Sequence, residues 1–181
     1  CGIKNKLINL IDEGHNSGAD FIKIQIFDYN YLIAKNSKTF LDLKKIEISR
    51  NDWKSIFNYC HKKNINLIAE PFDIQSLEMV RDYSDIKQIK IPTSDLGDWE
   101  YVKLVCEFAK IVIVGLGGAY KEEIEEITTY LKKQKNIEIV LMHGFQNFPT
   151  KLEDLQLSKI KCIIDNFNLK TGFADHINAD F

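Results

Sequence analysis

The chain has 181 residues, of which 45% are hydrophobic, and this is enough to bury a single core of ordinary size. Its 24 basic and 26 acidic side chains give a net charge of −2. There is no basic stripe or aromatic-interleaved Lys/Arg run, so we expect no nucleic-acid partner. No apolar run approaches the roughly 20 residues of a membrane span, so we expect no membrane partner and a cytoplasmic protein.

Short runs rich in Ile and Val alternate with amphipathic segments along the chain. The first predicted helix covers residues 5–16, Gly18 is expected to stop it, and a strand follows at 21–26. The remaining strands are predicted at 65–69, 86–91, 111–114, 137–142 and, more weakly, 171–174. Helices are predicted between them at 50–63, 74–83, 100–109, 121–133 and 151–166. Ser49 and Asp73 are expected N-caps, and residues 28–48 are expected to form a long loop that acts as a lid.

This alternation fits two fold classes. The strands are apolar throughout, as parallel strands covered on both faces are. A doubly wound open sheet and a (β/α)₈ TIM barrel both match, but no Gly-rich dinucleotide turn follows an early strand, which favours the barrel. A full barrel takes about 250 residues. We therefore expect residues 1–181 to be a single, incomplete barrel domain of about six or seven β/α units, a fragment lacking the first and last strands.

The four cysteines do not have the spacing of a zinc site or a disulfide framework. Cys1, Cys60, Cys106 and Cys162 lie far apart, and Cys60 and Cys106 fall on predicted helices. We expect small buried hydrophobic residues in a reducing compartment rather than catalytic thiols.

Polar side chains at strand ends are the candidate functional residues. Lys23 and Gln25 share one face of the first strand, and Lys90 repeats the situation on a later one. Because a buried lysine needs a neutralising anion, two such lysines favour an anionic substrate with a phosphate or carboxylate group. Gly115 and Gly117 precede a predicted helix and could let backbone N–H groups approach that anion, although a tight turn also needs glycine.

A second group of polar residues follows other strands. Asp175 and His176 form a carboxylate–imidazole pair suited to metal ligation or proton transfer. Together with Glu70, Asp95 and His143 at other strand ends they make a shared cavity plausible, because active sites of α/β barrels lie at that edge. His15 and His61 lie in charged helical surroundings and are expected to be solvated.

In this order the motifs resemble those of the sialic acid synthase family, which includes the legionaminate and pseudaminate synthases. Gly2 matches the end of the family's Asn-His-x-Gly motif. The segments that carry the remaining likeness are 18–25 (Gly-Ala-Asp-Phe-Ile-Lys-Ile-Gln), 71–73 (Pro-Phe-Asp), 90–95 (Lys-Ile-Pro-Thr-Ser-Asp), 143–154 with its Phe-Pro-Thr and Glu-Asp, and 174–176 (Ala-Asp-His).

The resemblance implies an enzyme that condenses phosphoenolpyruvate with an open-chain N-acyl amino sugar, forming a sialic-acid-like 2-keto acid for glycan biosynthesis. It implies a divalent metal, manganese or magnesium, with His176 as a ligand, and a homodimer when the protein is full length. By motif, Lys23 and Lys90 would bind the phosphoenolpyruvate anion and Gln25 the sugar or donor. Asp95 would stand for the family's acid/base glutamate. Further substrate-binding positions would be Glu70, Thr93, Gly115, Gly117, His143, Gln146, Phe148 and Asp175.

Several positions depart from the family pattern. Glu70 stands where the family has a donor-binding threonine, and Gly115 and Ala174 stand where it has serines. Gln146 and Phe148 replace an Asn/Ser and a tyrosine, while Thr93 keeps a hydroxyl. A carboxylate at Glu70 would repel a phosphate unless a metal or Lys23 lies between them.

Three interpretations remain open. Because the lysines, Asp95 and His176 survive while the donor contacts change together, a variant synthase is favoured. The alternatives are a non-catalytic binding module of the same fold and a metal-dependent aldol-type lyase that uses Glu70, Asp95 and His176 as ligands.

Overall fold

The computed structural model describes residues 2–177, and these form two compact units that divide between Ile89 and Lys90. Within the described residues six parallel strands alternate with α-helices. The strands are β1 (Ile22–Ile26), β2 (Leu67–Pro71), β3 (Gln88–Ile91), β4 (Ile111–Gly115), β5 (Glu138–Gly144) and β6 (Lys170–Ala174). The helices are α1 (Lys4–Asn16), α2 (Tyr29–Leu32), α3 (Phe40–Ile46), α4 (Arg50–Lys63), α5 (Ile74–Tyr83), α6 (Trp99–Phe108), α7 (Lys121–Lys132) and α8 (Ser158–Phe167).

The first unit is built on the pairing of β1 with β2. The register runs from Ile22 opposite Leu67 to Ile26 opposite Pro71, and β2 continues to β3 through Ala69 opposite Ile89. One face of β1 is apolar and packs towards α1, since a side chain at Gly14 would touch the Ile22 side chain. The alternation along β1 therefore turns its polar side chains to the other face.

The second unit is built on β4, β5 and β6, paired in sequence order. Gly115 lies opposite Met142, and Gly144 lies opposite Ala174, so the carboxyl ends of these strands meet at one edge. Its core consists of fully buried aliphatic residues from the strands and from α6 and α7: Val102, Val105, Val112, Val114, Ile127, Leu131 and Leu141. A further bridge joins Thr150 to Ile177.

The helix boundaries follow the predicted caps closely. The Ser49 hydroxyl accepts a hydrogen bond from Asp52 N–H at 3.1 Å, and Asp73 accepts one from Ser76 N–H at 2.7 Å, which confirms both as N-caps. Gly18 has φ +92°, a left-handed conformation that glycine tolerates, and α1 ends before it. Both helices predicted from these caps, α4 and α5, have the bounds that the sequence predicts.

Several element predictions are wrong in detail, and among them the third strand, predicted from residue 86, begins at Gln88. Residues 151–166 are not one helix: a short 3₁₀ turn (Leu152–Asp154) precedes α8, because Gln156 between them has φ 46° and cannot continue a helix. The predicted lid at 28–48 contains α2 and α3 rather than an irregular loop. The second strand starts at Leu67 because Asn64 (φ 56°) and the Ile65 N–H, which bonds to Cys60 O, still terminate α4.

The cysteines separate into buried and exposed ones. Burial raises the pKa of the Cys60 and Cys106 thiols to about 11, with the negative Asp12 adding to the effect at Cys60. Cys60 is buried as predicted, and Cys106 is partly buried, whereas Cys162 is exposed and its predicted burial is wrong. Cys1 lies outside the described residues.

Among residues 2–177, none of the helices is both long and apolar enough to cross a bilayer.

Candidate functional site

In the first unit, three of the predicted site residues form one cluster, which we call the strand-pair cluster: Lys23, Gln25 and Glu70. Gln25 on β1 lies directly opposite Glu70 on β2. Lys23 precedes Gln25 by two residues and therefore projects from the same face of β1. The parallel register, set by the apolar residues that alternate with them, thus brings all three side chains together.

The electrostatics of this cluster are those of a buried, paired carboxylate. Glu70 is only 2% exposed, and the same carboxylate oxygen, Oε2, accepts hydrogen bonds from Lys23 Nζ and from Gln25 Nε2, the latter at 3.1 Å. The Lys23 side chain remains 40% exposed. A buried carboxylate requires a counter-ion, and the Lys23 ammonium forms an ion pair with Glu70. The sequence predicts that either a metal or Lys23 lies next to Glu70, and the structure shows Lys23 there.

Two carboxylates fix the loops that follow β1 and β2. The sequence predicts one of them, Asp73, only as a helix cap, and it gives no signal for the other, Glu47. Asp73 accepts hydrogen bonds from Asp28 N–H at 2.8 Å and from the Ser76 hydroxyl at 2.8 Å, which ties the two strand ends together. Glu47 accepts one from Tyr29 N–H at 3.1 Å. Burial, with the nearby charges of Asp28 and Asp73, raises the pKa of Glu47 in spite of that hydrogen bond.

In the second unit, four predicted site residues come together in what we call the threonine cradle: Thr93, Gly115, Gly117 and Gln146. Thr93 lies in a 3₁₀ turn (Thr93–Asp95) after β3, and its Oγ1 accepts a hydrogen bond from Gln146 Nε2 at 3.0 Å. A Cβ at Gly115 would lie 3.2 Å from Thr93 Oγ1, and one at Gly117 would lie 3.0 Å from Gln146 Cγ. Both glycines are therefore required by close approach, and they leave room for the Thr93–Gln146 pair.

Lys90 and Asp95 flank the threonine cradle in sequence. Lys90 is the third residue of β3 and is partly exposed, while its neighbours Ile89 and Ile91 are fully buried. Asp95 ends the 3₁₀ turn, with its N–H bonded to Pro92 O at 3.1 Å, and buried Leu96 anchors the turn in the core. Both residues are thus held by rigid backbone at the carboxyl end of β3.

His143 is buried on β5, and its contacts are to the protein. Its Nε2 lies 2.9 Å from Leu155 O, and its ring stacks on Phe173 with centroids 6.1 Å apart. A carbonyl oxygen can only accept, so Nε2 is the donor of this hydrogen bond. This contact holds the segment before α8 against β5.

Asp175 and His176 follow β6. Asp175 Oδ1 accepts a hydrogen bond from Ile177 N–H at 2.8 Å, and His176 Nδ1 lies 3.3 Å from Phe145 O. The exposed Phe148 ring meets the His176 ring edge-on, with centroids 5.9 Å apart. Since Phe145 O can only accept, Nδ1 donates this hydrogen bond, which leaves Nε2 as the nitrogen that could ligate a metal.

The described residues do not provide a complete metal centre by themselves. In the 2–177 range, no three His, Cys, Asp or Glu side chains gather closely enough to hold a metal ion. His176 alone therefore fits as one ligand. His15 and His61 are both exposed to solvent, as predicted, and His61 pairs with Asp85.

Comparison with known proteins agrees with this geometry. The model of the NeuB family matches residues 10–180. The chain belongs to the NeuB family. A curated relative, N,N'-diacetyllegionaminic acid synthase of Campylobacter jejuni, is 29% identical over 97% of this chain and 57% of its own length. Pseudaminic acid synthase of the same species is 28% identical, over 97% of this chain and 55% of its own length.

A solved structure of the same kind supports the fold. N-acetylneuraminic acid synthetase from Leptospira borgpetersenii matches with a TM-score of 0.89 and 26% identity, over 97% of this chain and 61% of that one. This confirms the predicted fold class, part of a (β/α)₈ barrel of parallel strands, and the family that the motifs indicate. The chain of this NeuB-family protein spans about half the length of the curated relatives it matches. The two Campylobacter relatives are named as synthases of legionaminic and pseudaminic acid.

Proposed function

We propose that the full-length protein condenses phosphoenolpyruvate with an N-acyl amino sugar to form a sialic-acid-like 2-keto acid. The observation that carries the proposal is the family match over residues 10–180, with relatives named as legionaminic and pseudaminic acid synthases. Glu70 lies near the carboxyl end of β2, and Thr93 and His176 follow β3 and β6. Barrel enzymes keep their chemistry at strand ends, so these positions support the proposal.

The donor anion is bound in this proposal by Lys90 and the threonine cradle. Thr93 Oγ1 already accepts a hydrogen bond from Gln146, so its own proton is available for a phosphate or carboxylate oxygen. Lys90 adds a positive charge from the end of β3. Gly115 and Gly117 let the Thr93 and Gln146 side chains lie close to the backbone, which keeps the Thr93 hydroxyl in place for the donor.

The reaction balances as follows. The methylene carbon of phosphoenolpyruvate forms a bond to the aldehyde carbon of the sugar, and the aldehyde oxygen takes up a proton. Water then adds to the carbon that bears the phosphate, the bond from that carbon to the bridging oxygen breaks, and inorganic phosphate leaves. Asp95, held by its 3₁₀ turn, is the residue of this chain that we assign to proton transfer at the aldehyde oxygen and the attacking water.

A divalent metal, manganese or magnesium, would polarise the sugar aldehyde when bound. His176 would hold it through Nε2, since Nδ1 bonds to Phe145 O. Asp175 next to it would contact the acceptor. Further ligands would come from substrate or from parts of the full-length protein beyond this chain. We further expect a homodimer in the cytoplasm.

The test is phosphate release by the full-length protein with phosphoenolpyruvate, manganese and a panel of N-acetyl amino sugars. We expect sugar-dependent release that Lys90→Ala lowers by about a hundredfold or more, since Lys90 contacts the reacting anion. Lys170→Ala is the matched control, because Lys170 is also a strand lysine but pairs with Glu138 at the surface.

Negative outcomes separate the alternatives. A folded protein that binds no divalent metal and releases no phosphate would be a binding module. Metal-dependent turnover of pyruvate but not of phosphoenolpyruvate would identify an aldol-type lyase.

A further inference from the structure

His143 projects from the face of β5 that is turned away from the threonine cradle. Side chains alternate along a strand, so His143 shares its face with the fully buried Leu141. This face looks towards the helix layer, because His143 borders a cavity together with residues of α7 and α8. Gly115 pairs with Met142 on the other face of β5, and a Cβ at Gly115 would lie 3.2 Å from Thr93 Oγ1. The His143 ring therefore does not face a ligand bound in the cradle.

Residues 145–155, which we call the site loop, have two anchor points. All of this loop is described, and Thr150 and Leu155 are its two buried residues, at 4% and 8% exposure. The Thr150 N–H donates a hydrogen bond to His176 O at 2.7 Å. The second anchor is the bond of 2.9 Å from His143 Nε2 to Leu155 O. A segment with so few buried contacts opens easily, so these two hydrogen bonds fix its position.

The site loop carries the glutamine of the threonine cradle. Gln146 follows His143 by three residues, and its Nε2 donates to Thr93 Oγ1 at 3.0 Å. Its side chain is exposed, so core packing does not hold it in place. An exposed glutamine also loses rotamer freedom when it forms such a bond, which favours its release. The bond from Gln146 to Thr93 therefore depends on the path of the loop backbone.

We infer that His143 is a positioning residue for the proposed donor site: its hydrogen bond to Leu155 O clamps the site loop and keeps Gln146 on Thr93. The inference rests on the proposed function, which assigns the Thr93 hydroxyl to the donor anion. His143 acts from the helix side of the sheet and contacts neither substrate. Without a donor at this position the carbonyl of the buried Leu155 loses its partner, which costs free energy until the loop moves and water reaches the carbonyl.

Hydrogen exchange of the full-length protein, followed by mass spectrometry, tests the clamp. His143→Leu keeps an apolar side chain but no donor, and we expect exchange in residues 145–155 to become at least fivefold faster. His143→Gln places an amide Nε2 near the position of the imidazole Nε2 and should restore slow exchange. Ile139→Ala is the matched control, because it removes buried surface from the same face of β5 without a bond to the loop, and it should leave loop exchange unchanged. Melting curves establish the temperature at which every variant is folded.

Titration of the same variants with phosphoenolpyruvate and manganese, without acceptor, tests whether the loop serves the donor site. We expect His143→Leu to weaken binding at least fivefold, and His143→Gln and Ile139→Ala to stay within about twofold of wild type. Faster loop exchange with unchanged phosphoenolpyruvate binding would overturn the inference, as would equal weakening in Ile139→Ala. A wild-type protein that binds phosphoenolpyruvate but releases no phosphate with any sugar would refute the condensation, whereas the loss of binding in His143→Leu would still support the positioning role.

Discussion

Gly117→Ala should damage the threonine cradle through a single methyl group. The new methyl would lie 3.0 Å from both Gly144 O and Gln146 Cγ, at least 0.4 Å inside the 3.4 Å at which ordinary contact begins. Relief of the contact with Gln146 requires that side chain to move, so we expect its hydrogen bond to Thr93 to weaken. Such overpacking costs about 1–3 kcal/mol. The restricted unfolded state of alanine returns about 0.4–1 kcal/mol, which leaves a net loss of roughly 0–2.6 kcal/mol.

Gly118→Ala is the matched control. Gly118 has φ +83°, so alanine there is strained by about 1–2 kcal/mol. Its methyl, however, would lie 3.8 Å from Gln146 Cγ, which is ordinary contact. Urea unfolding should therefore show losses of similar size for both variants, whereas the phosphoenolpyruvate KM should rise about five- to tenfold only for Gly117→Ala, which corresponds to about 1–1.4 kcal/mol. Equal KM values in the two variants would refute the role of the Thr93–Gln146 pair.

Three further predictions concern the framework around the site. Asp73→Ala removes the cap of α5 and the hydrogen bond from Asp28 N–H, so urea unfolding should show a loss of about 2–3 kcal/mol in the free energy of unfolding. Asp98→Ala is the control: it removes the cap bond from Tyr101 N–H and should cost about 1 kcal/mol. Equal losses would contradict the link between the strand ends. Lys23→Met removes the ammonium that pairs with the buried Glu70 carboxylate and should cost about 2–3 kcal/mol in the same assay, less than a fully buried pair because Lys23 is partly exposed. Glu70→Gln should cost less than Lys23→Met, because it leaves no buried charge. The opposite order would be inconsistent with the burial of Glu70. With pKa values of about 11, only about a thousandth of the Cys60 and Cys106 thiols is ionised at pH 8. Iodoacetamide should therefore label the exposed Cys162 and leave Cys60 and Cys106 unmodified, as measured by peptide mass mapping. Rapid labelling of Cys60 would argue against its burial.

The sequence predicts elements best where local signals mark both ends. Helix α4 has its predicted bounds because Ser49 caps one end and Asn64 adopts the left-handed conformation at the other. Residues 151–166 were harder, since their apolar spacing is helical throughout. The break at Gln156, with φ 46°, has no glycine or proline to announce it.

The residues of the candidate site also differ in how far the sequence predicts their positions. The period of two along a strand places Lys23 and Gln25 on one face, and that prediction needs no tertiary information. The hydrogen bond from Gln146 to Thr93 joins residues 53 apart in the chain, so it depends on how the strands and their loops pack. Glu70 is an intermediate case. The sequence indicates that its charge needs a partner, and the side-chain contact between β1 and β2 shows that Lys23 is one.

The most direct test of the central claim is to identify the product. The full-length protein would be incubated with manganese, ¹³C-labelled phosphoenolpyruvate and an N-acetyl amino sugar, and the mixture analysed by mass spectrometry. The account predicts a 2-keto acid that contains the sugar plus the labelled carbons of the donor, with inorganic phosphate released in equal amount. Phosphate and labelled pyruvate without any coupled sugar, or no conversion by a folded protein that binds both substrates, would contradict it.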